Sequence, residues 1–381
     1  MHSNLLKTLS RWEGRMSLWF QSFFVGLKLR VGPYWPALFF GLGFLIDILF
    51  SQGLDDTFTF AQHSVYLFLA MALTMSEYVE FANSQSFFVR KLLVYRTTVS
   101  HFLLGSLLSN YFVLFYKSAS ITSSFLFLAS IAMVLVANEF RRVQSAGRVP
   151  RLILSLVCLL CYSLIVVPVL WGSIGVFPFL VSIVFSIVLF LSFVHLFSNK
   201  GLGLLAENRK NLLFPSVGVL VFFLFSYTMK WTPPIPMAIK HVGVYHGVKR
   251  VQSENGARKY QVEFYKSWWR FWNHSEEYFY SQSSGEIYVF FRVFSPARFN
   301  ENLVVRWYHY QNDQWVNWDN VNIVVSGGRL EGYRGYVKKS NFKPGEWRIK
   351  IETQDQRVMA ELDFDVIDKQ ADEEDLRIEL H

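Results

Sequence analysis

The stretch SGGRLEGYRGYVKKSNFKPGEWRIKIET, residues 326–353, sets four glycines among arginines and tyrosines before its Pro-Gly pair. Glycine backbone beside cations is the material of a phosphate cradle, and basic residues interleaved with tyrosine are that of an RNA-binding patch. A phosphate loop needs a helix after the glycines and a Lys-Ser/Thr at fixed spacing. Here the Pro-Gly turn is followed by the alternation of Trp347, Ile349 and Ile351. The stretch reads first as strands and turns. The remaining reading is that Arg329, Tyr333 and Arg334 line a ligand face.

A second group is aromatic. Seven tryptophans fall within residues 268–347, among them Trp268, Trp269 and Trp272 in SWWRFW and Trp315 and Trp318 in WVNW. Trp347 alternates with Ile349 and is expected to face inward. The other two clusters sit in polar, turn-like settings, where an aromatic face can stack on a sugar ring or lie at the lipid headgroup level. Trp268, Trp269 and Trp272 are therefore ligand-binding candidates. His241, His246, His274 and His309 show no HExxH, GxSxG or metal-ligand spacing and read as scattered surface residues. Cys158 and Cys161, the two cysteines of the chain, form a CxxC inside an apolar run, where core packing is the simpler reading. No catalytic residue, metal or cofactor is expected.

Ionisable groups within apolar runs form a third set, because burying them in a bilayer is costly. Asp47 lies well inside the first run. His63, Glu77 and His101 lie close enough to run ends to snorkel or pair. Gly41 and Gly43 before Asp47 allow close helix approach, which favours a structural role for it.

The elements that must position these groups divide the 381 residues in two. The chain is 52% hydrophobic and 17% charged, poorer in charge than an ordinary soluble protein. The apolar excess lies before residue 230, in runs near 34–52, 61–80, 98–116, 121–139, 152–171, 176–198 and 212–229. Each approaches the ~20 residues of a membrane-crossing helix. Fifteen Lys and Arg residues fall before the first run and in every second loop after it, while the other loops carry only Lys117. This alternation places the N-terminus in the cytoplasm and the C-terminal half outside. Residues 1–33 look amphipathic and suited to the cytoplasmic leaflet, and no cleavable signal peptide is apparent.

Residues 1–230 carry a balance of +9 and residues 231–381 one of −1. The basic surplus thus belongs to the membrane half, which speaks against nucleic-acid binding by the soluble half. After WTPPIPMAIK, short segments such as EIYVFFRVF, NLVVRWYHY and EWRIKIE alternate in the manner of strands. The expected fold is a bundle of seven transmembrane helices (34–230), then an all-β extracytoplasmic domain (231–367), most simply an antiparallel sandwich. An acidic flexible tail (368–381) would follow.

IPMAIKHVGVYHGV, SWWRFW, YVFFRVFSPARFNENLVVRWYHY, the glycine–arginine stretch with PGEWR, and a closing FDV together resemble the bacterial domain of unknown function 2914. This domain occurs at the C-terminus of polytopic membrane proteins. The resemblance covers about residues 231–367, and GFLIDILF and ANEFRR look like the membrane half of such proteins. It implies a bacterial inner-membrane protein with a periplasmic β-domain, and it supplies no catalytic residue. The expected partners are the lipid bilayer and a periplasmic glycan or protein. The alternative is a transporter, or an enzyme handling lipid or envelope precursors, that acts through the bundle.

Overall fold

The computed structural model describes residues 57–78, 95–198, 209–252, 258–266, 274–328, 332–371 and 375–381. Asp47, Trp268, Trp269, Trp272 and Arg329 lie outside the described residues, as do the amphipathic segment 1–33 and the first apolar run.

The described N-terminal part is helical: α1 (Thr57–Met75), α2 (Arg96–Ser118), α3 (Ile121–Glu139), short α4 (Arg141–Ser145), α5 (Arg148–Trp171), α6 (Val176–Ser198) and α7 (Arg209–Thr228). Helix α5 is the centre of the packing. Of its apolar window 78% is buried, against 17% for α7, and it touches α1, α2, α6 and α7. It ends because Gly172 takes φ 82° and returns its N–H to the Pro168 carbonyl, a left-handed stop that glycine adopts without a Cβ penalty. Phe125, Met133, Phe185 and Phe214 stay exposed on α3, α6 and α7, apolar surface that suits hydrocarbon.

Among the described residues five helices are long and apolar enough to cross a membrane: α2, α3, α5, 176–196 of α6 and 210–228 of α7. Helix α1, of 19 residues, carries Gln62 and His63 within an otherwise largely apolar sequence. Five of the seven expected runs are thus helices of that length and apolarity; the first run lies outside the described residues, and α1, overlapping the second, packs with α2 and α5.

The C-terminal part is β: β1 (Ala238–Tyr245), β2 (Gly247–Gln252), β3 (Arg258–Tyr265), β4 (Tyr278–Tyr280), β5 (Ile287–Phe294), β6 (Asn300–Gln311), β7 (Gln314–Ser326), β8 (Tyr333–Lys339), β9 (Gly345–Thr353), β10 (Val358–Ile367) and β11 (Leu376–Leu380). They form three sheets, ordered β4-β10-β9-β6-β7, β1-β5-β8 and β11-β3-β2. All described pairings are antiparallel except β4 with β10. The middle sheet β1-β5-β8 is covered on both faces. Val289, Phe291 and Val293 join Trp307, Trp347, Ile349 and Ile351 of the five-stranded sheet in one core. Phe290 joins Tyr245, Tyr260, Val262 and Phe264 in another, under β11-β3-β2.

Three local expectations change. Leu376–Leu380, expected in a flexible acidic tail, pairs along β3. Alternating Leu376, Ile378 and Leu380 give it strand character that the acidic composition masks. Trp315 and Trp318 lie on strand β7, because the β6–β7 turn is made by Asn312 and Asp313 at positive φ, the two-residue turn these residues favour. The histidines are not all superficial: His246 and His309 are buried.

The glycine-rich stretch closes against the loop after β5. A Cβ on Gly327 would lie 1.7 Å from the Pro296 carbonyl oxygen, so no side chain fits there. Its N–H bonds to the Phe299 carbonyl. This is close backbone packing, and the next described element is strand β8, where a phosphate loop would need a helix.

Candidate functional site

Glu77 and His101 meet in one polar centre at the end of the bundle away from the β-domain. Arg151 on α5 grips the Glu77 carboxylate with two parallel bonds, Nη1 to Oε1 at 2.5 Å and Nη2 to Oε2 at 2.6 Å. Thr97 donates to Oε1 at 3.1 Å, and Arg96 and Arg148 approach to 3.8 Å. Glu77 and Arg151 are both buried, so this planar fork compensates two desolvated charges. One layer away, His101 Nδ1 pairs with Asn138 Oδ1 at 2.9 Å, and Asn138 Nδ2 donates to the His101 carbonyl and to Glu139. Gly105 permits this approach, since a Cβ there would meet Asn138 at 3.0 Å. His63 is elsewhere. It is buried edge-on to Tyr111 at 5.3 Å, ~20 Å along the chain axis from Glu77 at the helical rise.

The other end of the bundle holds the β-domain. The β9–β10 hairpin turn seats between α6, α7 and the proline-rich exit. Tyr227 donates to Asp355 at 2.9 Å, and Arg357 Nε reaches the same oxygen at 2.8 Å. Arg357 lies over the Tyr227 ring at 5.0 Å, and Phe179 stacks on the same ring with centroids 3.9 Å apart. Lys230 to Gln356, the Ile174 N–H to Glu301, and Thr122 to Glu361 extend the contact. Burial raises the Asp355 carboxyl, but Arg357 and three hydrogen bonds outweigh it and leave the carboxyl below its ordinary range. Beside this seat lies an open cleft of about 640 Å³, lined by Thr122, Lys240, His241, Arg348, Glu361 and Asp363 among others.

Within the β-domain, Arg334 stands directly across from Arg292, which stands directly across from His241. The three form one row on one face of the middle sheet. His381 stacks on His241 at 4.4 Å. Glu379 reaches this group, 3.1 Å from His274 and 3.8 Å from His381. Burial, then the positive neighbours His381, Arg292 and His274, lower His241 to about 4. Nearby, His246 pairs with Glu276 at 2.5 Å and stacks on Phe279. Burial raises the Glu276 carboxyl against the pull of His246. Of the aromatic candidates in the described residues, Trp347 is buried, and Trp315 lies under the Arg348 guanidinium at 4.3 Å.

Sequence reasoning set Arg334 and Tyr333 on one ligand face. On β8 they point to opposite faces, Tyr333 packing against the Trp307 and Trp347 core and Arg334 joining the row of Arg292. Sequence reasoning also missed Arg292, Arg151, Asn138 and Arg357. The usable signal for Arg292 was a cation on a strand whose neighbours on both faces are apolar. No group of His, Cys, Asp and Glu suited to a metal ion occurs among the described residues.

Fold and sites together define a helical membrane-type protein with an antiparallel-rich β-domain seated on one end of its bundle. Residues 300–366 match the family model described as a protein of unknown function (DUF2914); this is the run from β6 to β10, the C-terminal half of the region that the resemblance spans. No curated protein matches the sequence. Among solved structures, an immunoglobulin-like protein from Pseudomonas aeruginosa is similar at 14% identity over 33% of this chain and 97% of that one, with a TM-score of 0.19. A beta-glucosidase from Listeria innocua in complex with glucose is similar at 11% identity over 30% of this chain and 17% of that one, TM-score 0.18. A Pseudomonas fluorescens alkylpurine DNA glycosylase bound to DNA is similar at 9% identity over 82% and 99%, TM-score 0.18. At such TM-scores the likenesses carry no functional argument.

Proposed function

We propose that this chain is an inner-membrane protein of the bacterial envelope, with seven crossings, a cytoplasmic N-terminus and a periplasmic β-domain. In this reading the β-domain is a non-catalytic recognition module for an envelope glycan or protein. The observation that carries it is the mount. The Asp355–Arg357 hairpin turn is locked onto Tyr227 and the proline-rich exit, an arrangement that a freely tethered domain does not need. A fixed mount holds the ligand face at a set height above the bilayer. The arginines 96, 148 and 151 gather at the opposite end of the bundle, in keeping with a cytoplasmic side there. The candidate ligand residues are Trp268, Trp269, Trp272, Arg329, Tyr333 and Arg334.

Orientation is tested by single-cysteine labelling with a membrane-impermeant maleimide, using Gln282→Cys and Ser145→Cys in cells with a permeabilised outer membrane. Labelling of the first alone is expected; labelling of the second alone overturns the orientation. Recognition is tested by retention of envelope fractions on the immobilised full-length protein. Replacing the three tryptophans 268, 269 and 272 by alanine is expected to reduce retention at least tenfold, and undiminished retention removes them from the site.

A second reading, transport or lipid handling by the bundle, is favoured by the buried Glu77 and His101 centre. A folded Glu77→Gln protein that abolishes the cellular phenotype, while the tryptophan variant preserves it, would establish this reading in place of the first.

A further inference from the structure

The open end of the layer between the two three-stranded sheets gathers arginines and histidines. His241, Arg292 and Arg334 occupy one cross-strand row. Residues so paired lie about 5 Å apart, and like charges directly opposite destabilise a sheet. From the covering sheet, His381 stacks on His241, and Arg250 and His381 both sit across from Tyr260. Glu379 is engaged by two histidines. The Nε of Arg292 is buried and has no hydrogen-bond partner among the described residues. Two adjacent guanidiniums in a half-buried row are an unfavourable way to build a sheet, and a favourable way to hold a tetrahedral anion.

We infer that this row is a binding site for a phosphate group, gripped between Arg292 and Arg334 with His241 at its flank. Guanidinium forks match phosphate oxygens two at a time, and they keep their charge at any physiological pH. Lys240, adjacent to His241 on β1, lies over Phe294 at 5.2 Å, and Lys117 at the end of α2 is within its electrostatic reach. Positive charge thus continues from the row toward the helix ends. The phosphate therefore has two sources, a lipid headgroup at the bilayer surface or a soluble phosphate compound. The inference rests on the proposed function only in taking the β-domain as the binding part.

The test uses the full-length protein and follows thermal unfolding of the β-domain by tryptophan fluorescence. One arm titrates inorganic phosphate in micelles at constant ionic strength against chloride. The other compares phosphatidylcholine nanodiscs with and without phosphatidylglycerol. A saturable rise in Tm is expected in at least one arm, as for any ligand that binds only the folded state. A rise with phosphate alone assigns a soluble ligand, and a rise with phosphatidylglycerol alone assigns a lipid. Arg292→Gln and Arg334→Gln are each expected to weaken the response at least tenfold, and Arg292→Gln is expected to have an unliganded Tm equal to or above wild type because the repulsion is relieved. Arg292→Lys retains charge without the fork and is expected to keep a weakened response, which separates lost binding from lost folding. No response of the wild-type protein in either arm overturns the site. So does a lower unliganded Tm in both glutamine variants with an undiminished response. A wild-type response in a protein of inverted topology would sink the proposed orientation and leave this site standing.

Discussion

The two interlayers of the β-domain share the middle sheet and differ in what they do with it. Along β5, Val289, Phe291 and Val293 enter the layer shared with the five-stranded sheet, where Trp307 and Trp347 complete a closed apolar core. The alternate residues, Phe290 and Arg292, enter the layer under β11-β3-β2. That layer begins as a core around Tyr245, Val262 and Phe264 and ends in arginines and histidines. Strand alternation makes this division possible, since successive side chains point to opposite faces. One face supplies cohesion, and the other carries charge at a position one residue away.

The largest test of this contrast is Trp347→Ala. The ring is fully buried, packs edge-on to Trp307 at 6.4 Å, and donates Nε1–H to the Lys343 carbonyl at 2.8 Å. Its removal is expected to cost about 3–5 kcal/mol, the range for large aromatic truncations, read by urea unfolding of the full-length protein. A loss under about 1 kcal/mol would mean that this layer is not the core that holds the domain.

Phe290→Ala tests the other layer. Phe290 is fully buried against Tyr245, Tyr260 and His381. The layer opens beyond it, so its neighbours can relax into the space. The expected cost is about 2–3 kcal/mol, at or below the low end of the same range. A cost equal to that of Trp347→Ala would show the second layer to be as rigid as the first and would erase the contrast.

Much of this architecture was legible in the residues. The alternation of Trp347, Ile349 and Ile351 correctly predicted an inward face, and the apolar runs located α2, α3, α5, α6 and α7. The second cover was only half legible. IYVFFRVF, residues 287–294, is apolar on both faces but for Arg292, as a strand covered twice is, yet nothing in it names the sheet that covers it. The same holds for Leu376–Leu380, whose partner β3 lies more than a hundred residues earlier in the chain. Arg151 and Glu77 are 74 residues apart, and nothing in either local sequence names the other. Alternation reports how many faces of a strand are apolar; it does not report which distant element closes over them.

The smallest expected effect is the most specific to the charged layer. His241 holds its ring against Tyr245 at 2.6 Å, and His381, His274 and Arg292 surround it, with Glu379 engaged by the other two histidines. Burial first, then these positive neighbours, lower it from 6.5 to about 4. The unfolded chain therefore binds more protons than the folded one between these values. Stability from this residue is complete above pH 6.5 and is lost as pH falls toward 4. After allowance for screening of the half-exposed ring, the loss is about 1–2 kcal/mol. Glu276 acts with the opposite sign: burial raises its carboxyl, so its contribution is fullest below its unfolded value and is lost as pH rises through the folded one. The raw pH slope mixes the two, so the informative quantity is the difference between wild type and His241→Gln. The variant is expected to lose less stability than wild type between pH 6.5 and 4.5 while Trp347→Ala keeps the wild-type slope. Equal slopes in wild type and His241→Gln would show that His241 is not held neutral by burial and the positive groups around it. The charged face would then be an ordinary solvated edge of the sheet.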